Sequence, residues 1–168
     1  MGPFPKTIGN KKYLLVGTDY FTKWVGAEPL GNIRDVDAKI WKNIVTQFGV
    51  PHVLISDNGL QFDSKMFRRY CGELGITNRY STLAYPQGNG QAEAVNKVIV
   101  NGLKKRLDYA KGKWVEGLPH VLWTYRTTPR RSIGETPFSM TYGAKVVIPL
   151  ETGFPTLRIS SFNPSDND

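Results

Sequence analysis

The chain has 168 residues, 40% of them apolar, with 22 Lys and Arg against 14 Asp and Glu and a net charge of +8. That length and apolar content suit one domain with a real core. They include no run long enough to cross a membrane, and residues 1–20 lack the charged-then-apolar order of a secretory signal. The single Cys71 excludes an internal disulfide and a cysteine-based zinc site, fits a reducing compartment, and reads as a packed helix residue.

In chain order, Tyr13 to Thr18 is an apolar run behind the turn signal Gly9-Asn10, which predicts a buried strand. Trp24 to Leu30 follows through Phe21-Thr22-Lys23 as its antiparallel partner. Val36, Ile40, Ile44 and Phe48 recur at helical spacing, so a helix is expected over 35–48, stopped by Gly49 and Pro51. Val53 to Ser56 is the next strand. A helix capped by Asp63 or Ser64 runs to about Leu74 and ends at Gly75, before a short strand over Ile76 to Ser81.

A long helix is expected from Gln91 to about Ala110, after a mobile Gly88-Asn89-Gly90 loop that orders over substrate. Stepping ~100° per residue from Glu93 puts Val95, Val98, Ile99, Gly102 and Tyr109 on one side. Lys97, Lys104 and Lys111 fall within ~40° of Glu93 itself. The buried face is therefore opposite the carboxylate, and Glu93 looks out along a lysine stripe. Such a stripe is the ordinary character of a solvated face as well as of a binding face. Residues 114–149, rich in Trp, Tyr, Pro and Arg, are expected to make two shorter helices. Residues 1–150 form the domain, and 151–168 have the composition of a linker or frayed tail.

Two motifs carry the chemistry. Ser56-Asp57-Asn58-Gly59 ends a strand, and Tyr85-Pro86-Gln87-Gly88-Asn89-Gly90-Gln91-Ala92-Glu93 leads into the long helix. Carboxylates delivered from separate elements can share a divalent metal in basic surroundings, the setting of phosphoryl transfer on nucleic acid. Bases gather over Lys97 to Lys113 and at Arg126, Arg130 and Arg131, while acids are scattered. Taken singly, Asp57 also fits an ordinary turn and Glu93 a helix-dipole carboxylate.

The element order is that of an α/β three-layer domain of the RNase H type with a mixed sheet. With Gly2-Pro3-Phe4-Pro5, Asp19-Tyr20-Phe21-Thr22-Lys23-Trp24, Trp123-Thr124-Tyr125-Arg126-Thr127-Thr128-Pro129 and Gly134-Glu135-Thr136-Pro137-Phe138, the two motifs resemble the catalytic core of Ty3/gypsy-type retrotransposon integrases, relatives of retroviral integrases. The resemblance implies DNA cutting and joining with two Mg²⁺ or Mn²⁺ ions, which activate the attacking oxygen and stabilise the leaving one. Asp57 and Glu93 match the family's second and third metal ligands at the family's own spacing. DNA, as element ends and target, is the implied partner, with homo-oligomers and a nuclear location. Lys97, Lys104 and Lys111 would meet phosphates, and Gln91 and Asn96 backbone or base edges.

The sequence departs from that family where its first strand and first metal-binding Asp are expected, just before Gly2. The central strand is therefore expected to be truncated, leaving two inner strands with unpaired edges and a chain of poor stability. Asp19 aligns with a different position and is expected to fix its turn through Thr22. Gly26 and Lys145 stand where acidic residues are usual, and the segment from Arg34 to Lys39 is slightly short. Neither a zinc-binding module before the core nor a chromatin-targeting domain after it is found in this sequence. Three functions are compatible: an integrase core inactive as it stands, an active enzyme completed by Asp19 or an upstream exon, and a non-catalytic nucleic-acid-binding module.

Overall fold

The computed structural model describes residues 1–32, 40, 44–57, 59, 62–81, 87–107, 113–131 and 133–146. Strands β1 (Tyr13–Thr18) and β2 (Val25–Leu30) pair antiparallel, from Tyr13 opposite Leu30 to Thr18 opposite Val25. Strands β3 (Val53–Ser56) and β4 (Thr77–Tyr80) pair in parallel. Parallel neighbours need a crossover, and helix α1 (Lys65–Glu73) supplies it. Of the two candidate caps, Ser64 takes the role: its hydroxyl accepts the Phe67 N–H at 3.1 Å. Gly75, at φ 68°, lets the chain leave the helix for β4.

Three longer or capped helices follow it: α2 (Gln87–Leu107), α3 (Trp114–Thr127) and α4 (Pro137–Tyr142). The last opens on a reciprocal Thr136–Ser139 capping box with Pro137 in its first turn. The core divides in two around the β1–β2 hairpin. Leu14 and Val25 pack with Val95, Ile99 and Leu103 of α2 and with Trp114, Leu118, Val121, Leu122 and Tyr125 of α3. Tyr13, Leu15 and Leu30 pack with Phe67 and Cys71 of α1 and with Ile40 and Ile76. Neighbouring residues of one strand face opposite helical layers, which is the expected three-layer arrangement.

The sheet is divided as well. Among the described residues β1–β2 and β3–β4 are separate two-stranded sheets, with no ladder between them. Residues 1–4 lie along β1. The Met1 ammonium donates to the Leu14 carbonyl at 2.8 Å, the Leu14 N–H donates to the Met1 carbonyl at 2.9 Å, and the Phe4 N–H donates to the Lys12 carbonyl at 2.7 Å. Helix α2 packs against both β1 and β3.

Two expectations need correction. Helix α2 begins at Gln87, so Gly88, Asn89 and Gly90 form its first turn rather than a loop. First-turn N–H groups have no intrahelical partner in any sequence, and glycine costs less there than in a helix interior. Val98 is 47% exposed, because the buried stripe of α2 runs through Val95, Ile99 and Leu103 and leaves Val98 at its margin. Of the helix expected over 35–48, only Ile40 and residues 44–48 are described. Ile40 is buried, Thr46–Phe48 are helical, and Gly49 ends the turn at φ 82°. Residues 151–168 lie outside the described residues.

Cys71 is 3% exposed, and burial pushes its thiol pKa up. The native protein is therefore expected to resist thiol alkylation at mildly alkaline pH and to react at once in denaturant. At Gly102, an added Cβ would lie 2.8 Å from Val121 Cγ1 across the α2–α3 contact. Replacing Gly102 with Leu is expected to cost about 1–3 kcal/mol by overpacking, read as a lower denaturant midpoint with an unchanged slope.

Candidate metal and nucleic-acid site

Asp57 follows β3 directly and is exposed. Its Oδ1 accepts the Gly59 N–H at 3.1 Å, so the carboxylate turns the chain out of the strand. The preceding Ser56 is 6% exposed, and its Oγ has no hydrogen-bond partner among the described residues. Burial lowers the pKa of the Met1 ammonium, and the charge of Asp57 acts in the opposite sense.

Glu93 lies in the second turn of α2 and is exposed. Its helix packs on the strand that Asp57 ends. Lys97 and Lys104 are exposed on the same helix, while Val95, Ile99 and Leu103 are buried. Lys111 lies outside the described residues. Gln91 is half-buried, and its Oε1 accepts from the Lys23 ammonium at 3.0 Å. Asn96 is half-buried too, and its Oδ1 is shielded from solvent with no hydrogen-bond partner among the described residues. Of the expected DNA-facing groups, Lys97 and Lys104 are the ones set openly in solvent.

Asp19 is committed elsewhere. Its Oδ2 accepts from both the N–H and the hydroxyl of Thr22, each at 2.7 Å. The backbone closes the same turn through Asp19 N–H to the Trp24 carbonyl and Lys23 N–H to the Asp19 carbonyl. Lys23 sits at φ 61°, a conformation costly for a side-chain-bearing residue and held here by that staple.

The arginines are less available than their charge suggests. The Arg126 guanidinium lies 4.1 Å over the Trp24 ring and donates twice to the Val25 carbonyl. Burial lowers its pKa, with Tyr142 acting in the opposite sense. Arg130 lies 3.6 Å over the Tyr125 ring and donates to the Tyr125 carbonyl. Arg131 is exposed.

A pair of Mg²⁺ ions needs several carboxylates converging from different elements. Among the described residues no group of three or more Asp, Glu, His or Cys side chains could hold a metal. Asp57 and Glu93, the expected ligands, are therefore not joined by a third such group among the described residues, and those residues do not by themselves fit a two-metal centre.

Comparison with solved structures identifies the fold. The fold matches a chain of the simian T-cell lymphotropic virus intasome, solved with the PP2A regulatory subunit B56 gamma, at TM-score 0.69 and 19% identity over 80% of this chain and 50% of that one. It also matches the HTLV-2 integrase catalytic core domain in complex with magnesium, at TM-score 0.61 and 22% identity over 76% of this chain and 82% of that one. The fold is that of the retroviral integrase catalytic core.

Sequence similarity agrees. The chain is 37% identical over 166 residues to the Gag-Pol polyprotein of woolly monkey sarcoma virus and 40% identical over 152 residues to that of gibbon ape leukemia virus. These alignments take in 97% and 89% of this chain and 9% of each polyprotein. No family model matches. The chain is an integrase-like catalytic-core domain of the retroviral Pol kind.

Replacing Asp19 with Ala is expected to lower stability by about 0.5–1 kcal/mol, the scale of an exposed charge-assisted bond. Calorimetric titration with Mn²⁺ should give the same heats for this variant as for the parent protein. A lost binding heat would make Asp19 a metal ligand.

Proposed function

We propose that this domain is the integrase core of an LTR retroelement of the Ty3/gypsy type, acting on DNA in the nucleus. The observation that carries this reading is the solvent face of α2, where Glu93, Lys97 and Lys104 are all exposed on a helix packed against the strand ending at Asp57. Phosphates would lie along the lysines, and the scissile phosphate would lie toward Asp57 and Glu93. Lysine contacts of this kind are sequence-tolerant, as an element that joins its ends to many targets requires.

Divalent Mg²⁺ or Mn²⁺ is the implied cofactor, and it supplies Lewis-acid activation of oxygen when bound. With no third metal-binding group beside Asp57 and Glu93 among the described residues, the domain is proposed to bind DNA without cutting or joining it. Assembly as a homo-oligomer belongs to the same proposal, supported by the trimeric and dimeric forms in which the HTLV-2 core was solved.

The test separates binding from chemistry. Duplex DNA should bind with an affinity that falls with salt, and replacing Lys97 and Lys104 with Ala should flatten that dependence by about one unit of log–log slope per lysine. No nicked or joined product should form with Mg²⁺ or Mn²⁺. Metal-dependent nicking lost in Glu93→Gln would contradict the inactive reading and establish a working site. Salt-independent DNA binding would contradict the lysine track.

A further inference from the structure

Trp24, Trp123, Phe138 and Tyr142 wall a surface cavity of about 380 Å³, with Arg126 beside them. Tyr142 meets Trp24 edge-on at 5.4 Å and Phe138 at 4.8 Å, and Trp123 lies 6.5 Å from Phe138. Trp123 and Tyr142 are 39% and 57% exposed, so ring surface is open to a ligand. Aromatic walls with one charged group are the usual make-up of a ligand pocket of this size.

Arg126 sets the sign of the occupant. Its Nε and Nη2 donate to the Val25 carbonyl at 3.0 and 2.7 Å. Among the described residues its Nη1 has no hydrogen-bond partner, and no carboxylate pairs with the guanidinium. A cationic guest, the common occupant of an aromatic cage, would meet that charge directly. A planar group carrying an anion meets rings and guanidinium together.

The turn that ends at Trp24 is tied to the helix that carries Glu93. Trp24 follows Lys23, whose ammonium donates to Gln91, two residues before Glu93. The same ammonium lies 4.6 Å over the ring of Tyr20, which is 69% exposed. One turn thus carries Tyr20, Lys23 and Trp24, and its lysine reaches the carboxylate helix.

We propose that the cavity seats an unpaired base of a DNA strand, stacked on Tyr142 and Trp123, with the adjoining phosphate on Arg126. This rests on the DNA-binding reading above and adds to it a second, single-strand subsite. Stacking on exposed rings serves any base, so the subsite is tolerant of sequence, and a base paired within a duplex cannot enter it.

The experiment titrates the protein at low salt with a short oligothymidylate and with a duplex of matched length, following tryptophan emission and anisotropy. The single strand should quench emission. Tyr142→Ala and Trp123→Ala should each weaken single-strand binding about tenfold, with duplex binding altered less than about twofold. Tyr142→Phe, which keeps the ring, should bind as the parent does. Unchanged single-strand affinity in both alanine variants, with duplex binding retained, overturns the subsite alone. Failure of the parent protein to bind either DNA overturns the underlying DNA-binding reading. Alanine variants that change the oligomeric state at constant DNA affinity would make the cavity a protein contact, which also overturns the proposal.

Discussion

Val95, Ile99 and Leu103 of α2 pack against Leu14 and Val25 of the hairpin and against Leu118, Val121 and Leu122 of α3. Ile99 and Leu103 are fully buried. Burying each such side chain is worth about 1.5–3 kcal/mol, whereas an exposed ion pair contributes about 0–1 kcal/mol. The rotation of α2 is therefore set by its apolar stripe and not by its charges. Glu93, Lys97 and Lys104 point to solvent because the opposite face has no alternative position. The same helix touches β3, so it also carries the geometric relation between Glu93 and Asp57 across two sheets that share no ladder.

Net charge is a poor guide to where an anion would bind here. Arg126 and Arg130 are each turned onto an aromatic ring and a main-chain carbonyl. They act first as packing groups joining α3 to β2 and to its own C-terminal end. Asp19 is spent within its turn, and Glu135 receives the Ser139 hydroxyl. The charges left open to a ligand are fewer and more directional than the composition implies. Among the described residues they include the lysine track of α2, Arg131 and the outer edge of the Arg126 guanidinium.

Much of this was legible in the sequence, because it follows from local rules. The Ser64 cap, the Gly75 stop, the Asp19–Thr22 staple and the hairpin each depend on residues within a few positions of one another. The exposed placement of Glu93, Lys97 and Lys104 followed from helical periodicity. Periodicity failed at Val98, which lies at the margin of the stripe, where the neighbouring helix and not the spacing decides burial. Leu103, fully buried, was missed for the same reason. The helical first turn at Gly88 to Gly90 ran against propensity. The aromatic cavity was not legible because the turn before β2, α3 and α4 each bring part of it. The crowding of Trp, Tyr and Arg beyond residue 114 was its one trace.

The central claim is that DNA lies along the solvent face of α2 on the side of Glu93. A thiol-reactive group tethered to a DNA phosphate tests it directly, since the lone native thiol, Cys71, is buried. Cysteines would be placed singly at positions 97, 104 and 98, all of them exposed in the parent protein. Cross-linking of Lys97→Cys and Lys104→Cys, with Val98→Cys unreactive toward the tethered duplex, is the expected result. Equal cross-linking at all three positions, or cross-linking at Val98→Cys alone, would place the DNA elsewhere and contradict the account.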